Sequence, residues 1–219
     1  MTHIIYLLKG QYDQVLEHEL SQIFQAFATI DPKNPKYRPL LSIIVCSKRH
    51  HTKFFPTNSE HADRSGNTRA GTVVDKGVTS VGGFDFYLQA HAGLQGSVKP
   101  THYVVIYDES SLTADEVQQG VHTASYLYAR ATKAVSLVPP AYYADIACEH
   151  ARNWIHDFLL KDNGETSSSE SAASTTGKGA GAGRRKAKGE EAENLVFAAA
   201  ERAWGKGLHP NLRDSMFYL

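Results

Sequence analysis

Residues 71–107 read GTVVDKGVTSVGGFDFYLQAHAGLQGSVKPTHYVVIY, and this stretch decides the fold. Phe84-Asp85-Phe86-Tyr87-Leu88 and Tyr103-Val104-Val105-Ile106-Tyr107 are short aromatic and β-branched runs bounded by Gly and Pro, the pattern of β-strands. Between them His91, Gly93, Gln95, Gly96, Ser97 and Lys99 combine one cation, several hydrogen-bonding groups and glycines that let a ligand approach the backbone. Such a bend is suited to phosphate.

Upstream, Ile4–Leu8 is a short apolar run that reads as a strand. Val15, Leu16, Leu20, Ile23, Phe24 and Phe27 recur at helical spacing, predicting an amphipathic helix over 12–27. Asp31-Pro32 and Asn34-Pro35 end it. Residues 40–46 are almost uniformly apolar, as in a strand buried on both faces of an α/β sheet. The polar connection 47–70 carries Lys48, Arg49, Lys53, Arg64 and Arg69 against Glu60 and Asp63. A connection that long is functional or disordered.

Downstream, Thr113 and Glu116 have capping-box spacing, so a helix starts there and is expected to reach about Thr132. Pro139-Pro140 opens another, to about Leu160. Residues 161–193, KDNGETSSSESAASTTGKGAGAGRRKAKGEEAE, are rich in Ser, Gly, Ala and charge and are expected to be disordered. Their basic run Arg184-Arg185-Lys186 with Lys188 fits a nuclear address, an RNA tether or a merely solvated segment. A helix is expected over 195–204, with the apolar end 215–219 docked. The expected division is a core at 1–160, a low-complexity loop at 161–193 and a C-terminal helix and tail at 194–219 that packs back on the core.

Lys plus Arg and Asp plus Glu both number 23, so the net charge is zero and any nucleic-acid partner must be held by a local patch. Cys46 and Cys148 lie far apart without a CxxC, which reads as two reduced thiols in an intracellular protein. The N-terminus has neither a basic n-region nor a long apolar h-region, and no run is long enough to span a bilayer. No membrane partner is expected. His50-His51 is a poor zinc pair, because adjacent side chains rarely converge on one tetrahedral ion.

Lys48-Arg49-His50-His51-Thr52, Phe54-Phe55-Pro56, Gly66-Asn67, Gly71-Thr72-Val73-Val74-Asp75, Phe84-Asp85-Phe86-Tyr87-Leu88, His91-Ala92-Gly93, Gln95-Gly96, Pro100-Thr101-His102-Tyr103 and Pro139-Pro140-Ala141-Tyr142-Tyr143-Ala144-Asp145 together resemble the C-terminal half of a eukaryotic, fungal-like Argonaute Piwi domain. The match runs from about Gly10 to Trp154 and returns at the C-terminus. It implies a partial RNase H-like (Piwi) α/β fold, a mixed sheet flanked by helices, with the disordered insertion before the last helix. It also implies binding of small guide RNA in gene silencing; the expected location is the cytoplasm, with the nucleus in addition if the basic run is an address.

Carried over residue by residue, the resemblance puts Lys48, Arg49, His91, Lys99, Arg130, Ser136 and Tyr142 at guide phosphates, with His150 and Arg152 as weaker candidates. Lys99 stands where Arg is usual, keeping charge but losing the bidentate fork. His150 stands where the family often has Arg, and a neutral His is a poor anion clamp. Guide RNA is held by its backbone regardless of sequence, so cations and hydroxyls spaced along a groove are what the task requires. Taken singly, Arg130 and Tyr142 also fit an ordinary surface and an ordinary core residue.

In the family, cleavage of the paired target RNA uses two Mg²⁺ ions, which need several converging carboxylates. The resemblance leaves Asp145 as the one catalytic and metal-ligating position. Where an Asp-Gly turn should precede Gln11, the chain reads Leu7-Leu8-Lys9-Gly10, and Asp75 and Asp85 belong to structural motifs. The expectation is RNA binding without cleavage and no cofactor in this chain. The alternatives are a Mg²⁺-dependent endoribonuclease completed by upstream residues, and a non-functional remnant or partial gene model. Met1-Thr2-His3 directly before a strand suggests a sheet lacking its first strands. A MID-type domain or upstream lobe and tryptophan-bearing silencing proteins are the further partners the resemblance implies.

Overall fold

The computed structural model describes residues 2–6, 12–30, 34, 36–165, 194, 196–205, 209–212 and 215–218. It divides into two compact units, Met1–Tyr142 and Tyr143–Leu219. In the first, strands β1 (Thr2–Tyr6), β2 (Ser42–Ser47), β3 (Thr72–Val74), β4 (Phe84–Gln89) and β5 (Thr101–Asp108) form one sheet in the order β1-β2-β5-β4-β3. β1 and β2 are parallel, and the other three pairings are antiparallel. A parallel pair needs a crossover, supplied here by helix α1 (Tyr12–Gln14), a π-helical segment (Val15–Glu19) and helix α2 (Leu20–Ile30).

The expected runs 84–88 and 103–107 are present and slightly longer. The run 40–46 becomes a strand only from Ser42 on, and the run 4–8 is matched by β1, which starts at Thr2, with residues 7 and 8 outside the described residues. The expected helix over 12–27 continues to Ile30 with a π-helical segment inside it. The three-residue edge strand β3 is a strand that periodicity did not reveal. It is too short for alternation to be read, and its pairing with β4 (Thr72↔Gln89 to Val74↔Tyr87) is what makes it one.

Every residue of β2 is buried, because helices or loops cover both of its faces. Its alternation assigns those faces. Ile44 and Cys46 pack with Phe86, Leu88, Tyr103, Val117, Val121, Leu137, Val138 and Ala141. Ile43 packs on the other face with Val15, Phe27 and Leu41, flanked by Phe24, Ile106 and Tyr107. Each such side chain contributes about 1.5–3 kcal/mol by leaving water. The β2–β5 register shifts between Ile43 and Ile44, and β5 carries the extra residue.

Helix α3 (Ala114–Ala124) starts as expected. Thr113 Oγ1 accepts from Glu116 N at 3.3 Å and Thr113 N donates to Glu116 Oε2 at 2.8 Å. It stops eight residues earlier than the expected Thr132. Buried Ser125 donates its hydroxyl to His122 O at 2.6 Å, and Ser125 O accepts from Val135 N at 3.0 Å. Folding the chain back in this way makes 126–134 a loop. Helix α4 (Pro139–Glu165) opens at the proline pair, and residues 196–204 are helical. The stretch expected to be disordered from 161 on begins as helix, because α4 runs on to Glu165, and its remainder, 166–193, lies outside the described residues. Within the second unit Phe217 stacks on Trp154, with centroids 5.8 Å apart and planes at 21°.

Two polar devices tie loops to the sheet of the first unit. At one end, Glu109 accepts from the Arg38 guanidinium, from Tyr107 Oη at 2.6 Å and from Leu41 N at 3.1 Å, while Arg38 lies 4.4 Å from the centre of the Phe24 ring on α2. Those donors, Arg38 first, pull the Glu109 carboxyl from its ordinary 4.5 down to about 2. At the other end, buried Asn67 donates from Nδ2 to Gly96 O at 2.9 Å and accepts from Val98 N at 2.8 Å through Oδ1. The Asn67 backbone is held by Asp63, whose carboxylate accepts from Asn67 N at 2.9 Å. Gly93 packs into the same joint: a Cβ there would lie 2.5 Å from Val98 Cγ2 and 2.9 Å from Asn67 Nδ2. This glycine therefore serves loop packing.

Two outcomes follow. Asn67→Ala leaves the Val98 amide and the Gly96 carbonyl without partners and is expected to cost about 2–3 kcal/mol, read from the denaturant midpoint. An unshifted midpoint would refute the clamp. The depressed Glu109 carboxyl stabilises the fold above the ordinary glutamate range, and that contribution is lost as pH falls from 4.5 through about 2. Thermal melts of the parent should weaken across that window more than those of Glu109→Gln.

Candidate nucleic-acid interface

β5 runs antiparallel to both β2 and β4, pairing His102 with Ser47 and Thr101 with Leu88. The exits of β2 and β4 and the entry of β5 therefore lie at one end of the sheet. Lys48 follows β2, His91 follows β4 by two residues and Lys99 precedes β5 by two, so three of the expected RNA-contacting residues are delivered to that end by register alone. Ser136 joins them, because its carbonyl accepts from Thr101 Oγ1. The Ser136 and Tyr142 hydroxyls share a hydrogen bond of 2.7 Å, and the Tyr142 ring tilts against Tyr128 with centroids 5.3 Å apart.

The strand ends are braced by a stack of rings. His102 bonds Asp85 Oδ2 through Nε2 at 2.6 Å, and Asp85 Oδ1 accepts from Ser80 N at 2.8 Å. Tyr87 lies on His102 with centroids 4.4 Å apart and planes at 18°. His50 and Phe54 meet Tyr87 edge-on at 5.3 and 5.6 Å. His50 Nε2 is also 3.0 Å from Pro100 O, which fixes the backbone next to Lys99. Asp75 Oδ2 accepts from Gln118 Nε2 at 3.2 Å. Asp75 and Asp85 thus both engage neighbouring protein groups.

Beside this end lies a cleft of about 1050 Å³. Its lining includes Ala90, His91, Gly93, Val98, Arg64, Lys99 and Lys133. Among the described residues, the cations that line it are Arg64, Lys99 and Lys133, and no carboxylate does. The half-buried Lys48 ammonium is pushed below its ordinary pKa by burial first and by the charge of Lys99 second. Burial likewise lowers His91, with Lys48 as the next cause. His50 is lowered by burial, partly offset by its bond to Pro100, and lowered further by Lys99, His102 and Lys48. These like charges destabilise one another, and an anion placed among them relieves the repulsion.

Of the residues expected from sequence, His91 and Lys99 line the cleft and Lys48 couples electrically to both. Arg49 and Arg130 are exposed, outside the cleft lining. Asp145, His150 and Arg152 belong to the second unit, where Asp145 and Arg152 are exposed and His150 lies 5.9 Å from Trp154 between ring centroids. Arg64 and Lys133 line the cleft but were absent from the expected contacts. Arg64 had a signal in the excess positive charge of 47–70, whereas Lys133 becomes visible only because α3 stops early and its loop turns to the cleft.

Among the described residues no three or more His, Cys, Asp or Glu side chains gather as a metal would require. The described residues by themselves do not fit a two-Mg²⁺ centre. No helix among the described residues is long and apolar enough to cross a membrane.

The Piwi domain model matches residues 1–156. Protein argonaute 10 of Arabidopsis thaliana is 43% identical over 172 residues, covering 77% of this chain, and protein argonaute 14 of Oryza sativa subsp. japonica is 48% identical over 146 residues, covering 65%. The chain spans 17% and 14% of the lengths of these two relatives. Both are plant proteins, so they do not establish the fungal affinity expected from sequence. Among solved structures, Kluyveromyces polysporus Argonaute with a guide RNA matches 71% of this chain and 19% of its own at 30% identity, with a TM-score of 0.64. The C-terminal lobe of a budding yeast Argonaute covers 100% of this chain and 40% of its own with a TM-score of 0.73, and at 23% identity it bears on the fold alone. The mixed sheet with flanking helices is the Piwi, RNase H-like arrangement, and the chain belongs to the Piwi domain family of Argonaute proteins.

Proposed function

We propose that this chain is the part of an Argonaute Piwi domain that holds small guide RNA, and its paired target, by the sugar-phosphate backbone during RNA-guided silencing. The observation that carries the reading is the cationic end of the sheet. Lys48 feels Lys99, and His91 feels Lys48, beside a cleft whose charged lining among the described residues is Arg64, Lys99 and Lys133 with no carboxylate. A protein with zero net charge gains nothing in stability from this segregation. Phosphate is the ligand that makes it favourable, because each contacted phosphate releases condensed counterions.

In this reading Lys48, Lys99, Arg64 and Lys133 supply charge at the cleft and Arg49 and Arg130 extend it along the surface. The Ser136–Tyr142 hydroxyl pair offers a proton to a phosphate oxygen. Asn67 and the His102–Tyr87–His50 stack hold the two cation-bearing loops in place before RNA arrives, so less ordering is needed on binding. That the Kluyveromyces polysporus relative was solved with a guide RNA supports the choice of ligand.

The same reading assigns no RNA cleavage to this chain. Asp145 is one carboxylate, exposed on α4, and residues 7–10, Leu-Leu-Lys-Gly, offer no acid between β1 and α1. A Mg²⁺ pair requires several converging oxygen ligands. Retention of Asp145 favours one alternative, in which a longer product or a second chain supplies the missing carboxylates.

Binding is tested with single-stranded oligouridine by fluorescence anisotropy across a salt series. Lys48→Ala and Lys99→Ala should each weaken binding about tenfold, independent of RNA sequence, and flatten the logarithmic salt slope by about 0.7. Variants that bind like the parent would disprove the assigned groove. Incubation with guide-matched RNA and Mg²⁺ should yield no cleavage product. A product that disappears in Asp145→Ala would establish the alternative.

A further inference from the structure

His91 and His50 are the two half-buried imidazoles at the cationic end of the sheet, and both keep a buried Nδ1 to which no described residue offers a hydrogen bond. For His50 the tautomer follows from geometry. Its Nε2 is 3.0 Å from Pro100 O, a carbonyl can only accept, and so Nε2 carries the proton and Nδ1 holds a lone pair.

The surroundings of the two rings are strongly one-sided. His91 feels Lys48 at the exit of β2, and the cleft it lines adds Arg64, Lys99 and Lys133. His50 feels Lys99, His102 and Lys48, with the phenol of Tyr87 edge-on against its ring. Beyond Tyr87 lies Tyr12, which senses Asp85 and Tyr87. The carboxylate in this group, Asp85, is bonded to His102 and to Ser80 N. Burial first, and these cations with it, lower both imidazoles below the ordinary histidine range, against the opposing bond of His50 to Pro100.

We propose that filling this cleft with a phosphodiester backbone is coupled to proton uptake by His91 and His50, so that RNA binds more tightly in mildly acidic than in mildly basic solution. The inference rests on the RNA-binding reading. A solvent proton adds to the unprotonated ring nitrogen of each imidazole, which in His50 is Nδ1, and no other bond changes. The incoming phosphates place negative charge beside the cleft-lining Arg64, Lys99, Lys133 and His91 and near His50, which feels Lys99, and so raise the pKa of both rings in the complex. Affinity is therefore independent of pH above the bound values and below the free values. Between them it rises as pH falls, by up to about tenfold per unit and per ring.

The test is isothermal titration of the full chain with 5′-hydroxyl oligouridine at fixed ionic strength, in two pH 7 buffers of different ionisation enthalpy, which counts protons taken up. The 5′-hydroxyl form is used because a terminal phosphate titrates near pH 6 itself. Net uptake is expected, with a Kd at pH 6 about tenfold below that at pH 8. His91→Gln and His50→Gln should each lower the proton count, while His122→Gln, on α3 outside this group, should not. Histidine ring resonances of the unmodified chain, followed by NMR with and without RNA, give the same answer should a variant fail to fold: both rings must titrate at higher pH in the complex. RNA bound without proton exchange, or with a count unchanged in both variants, overturns the coupling alone. No RNA bound at any pH overturns the RNA-binding reading with it.

Discussion

The antiparallel pairing of β5 with both β2 and β4 is the constraint on which the rest of the first unit depends. It fills the centre of the sheet with Ile44, Cys46, Phe86, Leu88 and Tyr103 on one face. It also gathers two strand exits and one strand entry at the same end, so residues about fifty positions apart in the chain, Lys48 and Lys99, become neighbours. A slip of one residue would turn each side chain of a strand to the opposite face. The buried pairs Ser47↔His102 and Cys46↔Tyr103 make such a slip costly.

The loops at this end are long, and polar contacts join them to one another. Asn67 joins the 47–70 connection to the 91–98 loop, Ser65 Oγ donates to Gly93 O at 3.2 Å, and Thr68 Oγ1 donates to Gln89 Oε1 at 2.6 Å. A buried amide that can both donate and accept suits this joint, because each of its bonds meets a backbone group that would otherwise be orphaned. Such a joint leaves the outward side chains, Arg64 and Lys99 among them, available to solvent and to a ligand. Scaffold and binding surface are thus separate properties of the same loops, and this explains how a chain of zero net charge presents a locally cationic cleft.

Much of this was legible in the residues. The aromatic and β-branched runs on either side of 89–100 announced β4 and β5, the uniform apolarity of 40–46 announced a strand buried on both faces, and Thr113 with Glu116 announced the start of α3. Lys48, His91 and Lys99 were legible as candidates from the motifs that contain them. Less legible were β3, too short for periodicity, and the end of α3, where a single buried serine and a carbonyl bonded to Val135 override residues that would otherwise continue the helix. Gly93 read as a place for a ligand to approach, whereas its missing side chain is occupied by Val98 and Asn67.

By itself the sequence determined the type and order of the elements and the motifs that place the chain in its family, because these depend on local propensity and on which side chains recur at a fixed spacing. Only the tertiary structure decided which cations share a field. It placed Lys48 in the field of Lys99 and His91, brought Arg64 and Lys133 to the lining of one cleft, and left Nδ1 of His50 and of His91 buried without a partner among the described residues. The reason is physical. Charge interactions act through space over several ångströms whatever the separation along the chain, and strand register and loop closure, which set those distances, are settled only when the whole sheet assembles.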